Sequence, residues 1–556
     1  MRRLRILGLS VAAWAVTVYV LLPPARQRLG PPSASGVRGA IHVHTRRSDG
    51  SGTPEQVAAA AAKAGLQFVI LTDHGDGTRE PARPAYYSGV LVVDALEVSA
   101  EEGHVVALGL PKTPYPLGGA ARDIVEDVAR MGGMSVAAHP GSVKPQLRWS
   151  EWTSLFNGLE WLNGDSEWRD EPWSTRARVL LTYPLRPVES LGVMLDRPDA
   201  LLARWDALTV HRRVVALAGT DAHARLDLSG DDSSSGLTVS IPGYEPMFSA
   251  FSITATGVTF ARVAAADSEA LLEAIRGGHV YSTVDALATP GVAAFTARRG
   301  GATWMAGDLI PPDVGDIELQ VEHNGPPGSR IVLIKDGQTA TTAADRRLKL
   351  VVPATRAVYR VEIQLPRAPG NPPVPWVVTN PIYIRHGDDE PDKRGDATST
   401  AVQYEDGEAR GWRIETSPRS KAALDVARTV GGTELLLRWA IGGTRTESPY
   451  AAVAMPAGDA LPAYDRLMFT ARADRSTRVS VQFRLQNGSR WRRSVHLDGT
   501  ARPIVVFFDE VRPIDPTSER RLPLGQVRDI LFVVDTVNAA PGSSGQFRID
   551  DVKYGR

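Results

Sequence analysis

The chain of 556 residues contains no cysteine. Disulfides, thiolate catalysis, cysteine-type zinc sites and a lipobox-type lipid anchor are therefore excluded. Any bound metal must be held by His, Asp and Glu. A surplus of charge is missing too, because 63 Lys and Arg balance 63 Asp and Glu. Without a basic excess the chain lacks the electrostatic footprint of a nucleic-acid binder, so nucleic acid is not an expected partner. At roughly 150 residues per domain, the length predicts about three or four domains.

Behind Met1-Arg-Arg-Leu-Arg, residues 6–22 carry no charge, the order of a signal peptide or a short membrane anchor. The Pro-rich spacer that follows has no clear small-x-small cleavage site, which favours an uncleaved signal anchor over residues 1–36. Arg2, Arg3 and Arg5 then stay cytoplasmic and the rest is exported to the periplasmic or extracellular face of the membrane. If the segment is cleaved, the protein is secreted.

From residue 37 to about 285, apolar strand-like runs alternate with Ala-rich helical segments. Residues 39–43 read as a strand, 54–64 as a helix opened by Thr53 and Pro54, and 68–72 as the next strand. Further strands are predicted at 90–93, 105–108, 135–138, 158–162 and 214–218, with helices at 121–131 and 198–213. Such alternation predicts an α/β domain, a parallel sheet or barrel with ligands at the strand C-terminal ends. Beyond Asp285 the texture becomes β-rich and broken by Gly, Pro and Asn. Two all-β sandwich modules are expected, 286–390 (Ig-like) and 391–556, around a charged linker at 386–398.

Eight of the eleven histidines lie between His42 and His279. In Ile41-His-Val-His-Thr, one valine separates His42 from His44 on a strand, so both imidazoles share a face. Arg-Ser-Asp49-Gly follows, and the next strand ends Leu-Thr-Asp73-His74. Glu97 follows an apolar run, His104 opens Gly-His-Val-Val, His139 closes Ser-Val-Ala-Ala-His-Pro, and Ala-Gly-Thr-Asp221-Ala-His223 adds another i, i+2 pair. Each alone has an ordinary reading as turn, cap or core residue. Together they would crowd one rim, where the carboxylates would repel and lose solvation unless cations lay between them. A multinuclear metal site is the simplest explanation. Asp73, next to His74 on a strand, points the other way and supports the site without ligating. Lys144 and Arg225 stand close in sequence to ligands and are candidates to meet a phosphate, or are solvated loop cations. Trp161 and Asn163 could line the mouth, and residues 230–263, with Tyr244 and Phe248, could fold over it.

The order HxH, SDG, TDH, E, GH, HP and GTDAH resembles the PHP (polymerase and histidinol phosphatase) metal-dependent phosphoesterases. Residues 103–109, 274–283 and 376–383 narrow the likeness to CehA/McbA-type metallohydrolases. This resemblance implies a distorted (β/α)7 barrel with two or three divalent ions, commonly zinc, manganese or iron. His42, His44, Glu97 and Asp221 could hold one ion, Glu97 could bridge to a second at His104 and His139, and Asp49, His74 and His223 would complete the array. The implied reaction is hydrolysis of a small-molecule or envelope-associated phosphoester by a metal-activated hydroxide. The same chemistry suits carboxyl ester, amide or carbamate substrates, and a non-catalytic surface carbohydrate-binding protein is the remaining alternative. The C-terminal module resembles galactose-binding-like or carbohydrate-binding jelly rolls through Leu531-Phe-Val-Val-Asp and Gln546-Phe-Arg-Ile-Asp-Asp-Val, which implies a glycan contact. Its Trp412, Trp439 and Trp491 read as packing residues of the core, Trp491, in Ser-Arg-Trp-Arg-Arg, being the one whose arginine neighbours leave exposure open.

Overall fold

The computed structural model describes residues 16–30, 36–225, 243–312, 315–389, 394–405, 407–429, 432–515 and 517–556. Most of residues 6–22, and residues 230–242 of the segment expected to cover the site, lie outside them. Among the described residues no helix is long and apolar enough to cross a membrane. The chain is mostly β-sheet with some helices, and falls into two compact units, the second formed by residues 76–79, 112–119 and 391–556.

In the first unit, strands β1 (Gly36–Ile41), β2 (Phe68–Leu71) and β3 (Val90–Asp94) pair in parallel. Helix α1 (Pro54–Lys63) makes the first crossover. It starts where Thr53 and Gln56 form a reciprocal capping box and proline occupies the first turn, and it buries Val57, Ala58 and Ala61. A second sheet follows the order β8-β7-β6-β5-β4, from β4 (Leu96–Ala100), β5 (Gly103–Leu108), β6 (Met134–Ala138), β7 (Gly158–Asn163) and β8 (Val215–Gly219). Helix α2 (Ala121–Arg130) precedes β6, and four helices separate β7 from β8: α3 (Gly164–Asp170), α4 (Trp173–Thr182), α5 (Pro187–Gly192) and α6 (Asp199–Thr209).

The regular strand–helix alternation expected from the sequence breaks between β3 and β5. No helix intervenes there, and β5 pairs antiparallel with both β4 and β6. Only residues 101–102 join β4 to β5, far too few for the crossover that a parallel pair needs, so the chain must reverse.

The two sheets are stitched together at both ends. Val43 and Ala222 form a parallel bridge beyond β1 and β8, and His74 and Glu97 form another between β2 and β4. The Thr220 amide donates to Ile41 O at 2.9 Å, and the Gly75 amide to Glu97 O at 3.0 Å. The strand ends that carry the polar motifs thereby meet.

Strands β9 (Ser252–Thr256) and β10 (Val280–Thr283) extend the first sheet antiparallel beyond β1. β10 pairs in turn with β16 (Val377–Thr379), so the sheet runs on without a break into the following β-rich segment. There β11 (Ala293–Arg299), β12 (Asp316–His323) and β14 (Arg347–Pro353) face β13 (Arg330–Lys335) and β15 (Ala357–Gln364) across a core containing Phe295, Leu319, Leu333, Val361 and Trp376. The motif at residues 376–383 serves the fold, because Asn380 accepts from the Ala216 amide at 2.8 Å and donates to Val280 O at 2.8 Å. A buried ion network adds to this, with Arg360 bonded to Asp206 at 2.6 and 2.8 Å and to Glu362 at 2.7 Å.

The second unit carries two six-stranded sheets with a shared apolar core, as a sandwich does. Trp491 is buried in that core at 2% exposure, a packing residue despite its arginine neighbours. Trp491, Val495 and Leu497 share one face of the strand with Arg493, while Arg490 and Arg492 alternate to the other. Trp439 is buried as well, and Trp412 stacks on Phe532.

Candidate metal centre

Nearly all the polar motifs stand where a strand ends. His42 and His44 follow β1, Asp73 and His74 follow β2, His139 follows β6, and Asp221 and His223 follow β8. His104 reaches the same rim because β5 is reversed, which sets it opposite Ala138 at the end of β6. The backbone at His42 (φ 64°), His139 (φ 31°) and Asp221 (φ 49°) lies in the left-handed region, uncommon for residues other than glycine.

At the centre, His42 Nε2 lies 3.2 Å from Glu97 Oε2 and 3.3 Å from Asp221 Oδ1. His44 Nε2 lies 3.1 and 3.3 Å from the same two oxygens. Ligands about 2.0–2.1 Å from a tetrahedral ion are separated by about 3.3–3.4 Å, the size of these nitrogen-to-oxygen spacings, and His42, His44 and Glu97 form one set whose donor atoms could share an ion. Both histidine nitrogens are buried and have no hydrogen-bond partner, a costly state unless a metal takes their lone pairs. The residues present therefore fit a metal. The other oxygen of Glu97 meets His104 Nδ1 at 2.7 Å and His139 Nε2 at 3.0 Å. Further out, Asp49 lies 3.3 Å from His44 Nδ1, 3.7 Å from His74 Nε2 and 3.2 Å from His223 Nε2. Four sets of such residues bring ligand atoms within 4.8 Å of one another, and together they include all nine sequence-derived ligand candidates.

The electrostatics are those of anionic centres among imidazoles. Burial alone would raise the pKa of Glu97, but His42, His104 and His139 hold it well below the ordinary range. Burial works the same way on Asp221 and is overcome by His42, His44 and His223. Burial would lower His42, yet Asp221, Glu160 and Glu97 push it up. The carboxylates thus stay ionised at neutral pH and demand positive charge in the pocket.

Asp73 points away from the ligand cluster and builds its frame. Its carboxylate accepts from the Thr45 amide (2.7 Å), Thr45 Oγ1 (2.7 Å) and Ser48 Oγ (2.8 Å), shaping the turn that presents Asp49. The glycine after Asp49 is needed for space, since a Cβ on Gly50 would overlap the His44 carbonyl oxygen. Lys144 is half-buried, with its amide donating to Ser142 Oγ, and Arg225 is exposed. Trp161 is buried in the core and does not line a mouth. Tyr244, on α7 (Tyr244–Ala250), donates its hydroxyl to His44 O at 2.8 Å and accepts from the Ser51 and Gly52 amides.

The sequence motifs do not include Glu160, which the structure brings to the site. Its Oε1 lies 2.7 Å from His42 Nδ1, which leaves Nε2 of that ring directed at the cluster. Its Oε2 accepts from the His139 amide at 2.7 Å and from Asn163 Nδ2 at 2.9 Å. Asn163 also caps α3 through the Ser166 amide. A sequence signal exists, because Glu160 is a lone acid inside the apolar strand Gly158-Leu-Glu-Trp-Leu. Buried acids are rare without a partner.

No protein-family model matches the chain. Over 122 residues it is 32% identical to a 3',5'-nucleoside bisphosphate phosphatase of Chromobacterium violaceum, which covers 20% of this chain and 43% of that one. Over 115 residues it is 29% identical to an uncharacterized protein of Methanocaldococcus jannaschii, covering 18% of this chain and 67% of that one. Among solved structures, a family 11 carbohydrate-binding module of Clostridium thermocellum aligns with 29% of this chain and 96% of its own, at 17% identity and a TM-score of 0.25. An exo-beta-agarase aligns with 28% of this chain and 25% of its own, at 14% identity and a TM-score of 0.22. The chain thus spans about two thirds of one curated relative and less than half of the phosphatase, and its clustered His, Asp and Glu side chains could hold metal.

Proposed function

We propose that the chain is a metal-dependent phosphoesterase of the PHP type, CehA/McbA-like, acting on a small-molecule or envelope-associated phosphoester. The observation that carries this reading is the approach of His42 Nε2 and His44 Nε2 to Glu97 Oε2 and Asp221 Oδ1 at 3.1–3.3 Å, within clusters of His, Asp and Glu that could hold metal. The likeness to a bisphosphate phosphatase supports phosphoester as the bond cleaved. The stitched path through β1, β2, β4, β5, β6, β7 and β8 supports reading these strands as a distorted seven-stranded barrel.

His42, His44, Glu97 and Asp221 would hold one divalent ion, and Glu97 would share a second with His104 and His139, with Asp49, His74 and His223 completing the set. Zinc, manganese or iron held there would activate water and neutralise charge on the phosphoryl oxygens. The chain's own part is orientation. Glu160 fixes the His42 ring, Asp73 fixes the turn bearing Asp49, and Tyr244 ties that turn to α7. Lys144 and Arg225 are our candidates for meeting substrate phosphate. The apolar run at residues 6–22 supports an anchored protein whose site works outside the cytoplasmic membrane.

Metal analysis paired with hydrolysis of phosphomonoester, phosphodiester and carboxyl ester substrates tests the reading. Chelation and Asp221→Ala or His42→Ala should each reduce phosphoester hydrolysis to background. Retained activity in either variant at matched metal loading sinks the assignment. Cleavage of the carboxyl ester alone would favour the carbonyl reading.

A further inference from the structure

Helix α4 buries Val179 and Thr182 and turns the opposite face outward. That outer face is apolar: Trp173 is 71% exposed, Leu180 43% and Leu181 39%, and Leu185 just beyond the helix is 61% exposed. Residues seven apart on a helix lie nearly in line, so Trp173 and Leu180 form one stripe with Leu181 beside it. A soluble surface tolerates single exposed apolar residues, but a Trp and three Leu within thirteen positions mark a contact surface.

What meets this face is indicated by its neighbour in the fold. Residues 16–21 are helical and expose Val16, Tyr19 and Val20. They are the end of the uncharged run 6–22, and they are tied to α4 and the turn after it. Arg178 Nε donates to Leu21 O at 2.9 Å, and Arg186 donates to Pro23 O. A cavity of about 530 Å³ adjoins the same corner, sharing Thr175 and Arg178 of α4 and lined also by Pro23, Val193, Leu365 and Pro366.

We propose that the outer face of α4, with Leu185, is a membrane-interface surface that lies in the headgroup–acyl boundary of a phospholipid bilayer. An amphipathic helix with Trp and Leu on one side and Arg on its flanks has the chemistry of such a surface. The flanking Arg176, Arg178 and Arg186 bond the carbonyl oxygens of Arg169, Leu21 and Pro23, so it is the apolar stripe that would enter the acyl region. The face rests on the anchoring reading for its orientation, and it adds a second, folded contact that would hold the first unit against the bilayer.

Because the chain has no cysteine, one introduced thiol reports one position. Full-length Leu181→Cys, labelled with an environment-sensitive fluorophore, is added to phosphatidylcholine vesicles with or without phosphatidylglycerol, some carrying nitroxide-quencher lipids. Val351→Cys, exposed on the middle segment, is the control. The expected result is a blue shift and loss of emission to shallow quenchers at position 181, with or without phosphatidylglycerol, and neither at 351. Vesicle-bound protein whose 181 label is unmoved overturns this surface and leaves the anchor standing. Protein that does not bind vesicles overturns both. A lipid-free shift that grows with protein concentration overturns the proposal in favour of a second copy. A lipid-free shift independent of concentration overturns it in favour of cover by the chain's own N-terminal residues.

Discussion

Replacing Glu160 by glutamine exchanges one oxygen for an NH2 group and tests how the site is held. One carboxylate oxygen faces His42 Nδ1 at 2.7 Å, and the other faces the His139 amide at 2.7 Å and Asn163 Nδ2 at 2.9 Å. A glutamine has one acceptor oxygen and one donor NH2, so either orientation sets a donor against a donor. If the amide oxygen keeps His42, the NH2 collides electrostatically with two donors; if it flips, the His42 ring loses its tautomer guide. Each buried bond to a charged acceptor is worth about 1.5–3 kcal/mol. Expressed in metal binding, that is a loss of about 10–100-fold, in line with other outer partners of metal-bound histidines. Chelator competition on metal-stripped protein measures the affinity, and Asp285→Asn serves as a control, removing a buried carboxylate bonded to Arg38 at 2.8 Å. The control should lower stability without changing metal affinity. If Glu160→Gln binds metal as tightly as the natural protein, the argument that Glu160 orients His42 is wrong.

Gly219→Ala probes the same carboxylate from the opposite side, since the new Cβ would overlap Glu160 Oε1; metal affinity should fall in the chelator assay, with the circular dichroism of the fold retained. Unchanged affinity would show that Glu160 can move aside without consequence. Asp206→Ala removes a partner of the buried Arg360 and should cost about 3–5 kcal/mol in urea unfolding of the first unit. A change below about 1 kcal/mol, the size of a surface ion pair, would mean that Arg360 is adequately held by Glu362 alone. In the second unit, burial would raise the Asp529 pKa, but Arg413, Arg484 and Arg528 hold it down at about 2. Its folded value lies below the unfolded one, so its stabilisation is complete above about pH 4 and is lost as pH falls towards 2. Asp529→Asn should flatten that part of the acid-unfolding profile, and an unaltered profile would rule out this carboxylate as its source.

The site is legible in the sequence to the extent that its residues advertise themselves locally. HxH suggests a shared face through the two-residue repeat, but both rings lie past the end of β1 with His42 at φ 64°, so the strand repeat alone does not account for their meeting. Glu160 is not legible in this way. An acid inside an apolar strand signals a buried partner, but its partner His42 is 118 residues away. The reversal of β5 is also invisible, because an apolar run of six residues looks alike in a parallel or an antiparallel strand. For Trp491 the arginines beside it leave exposure open in the sequence, and only the packing of the two sheets buries it.

By itself the sequence determined the donor chemistry, since in a chain without cysteine any metal must be held by His, Asp and Glu, and it pointed to most of the strand ends where such side chains stand, though Glu97 and His104 lie inside strands. Only the tertiary structure decided that β8 meets β1 and β2 meets β4, that His104 arrives beside His139, and that Glu160 stands behind His42. The physical reason is range. Side-chain periodicity is set by the geometry of a few neighbouring peptides, whereas the meeting of strand ends is set by packing and hydrogen bonding between segments far apart in the chain.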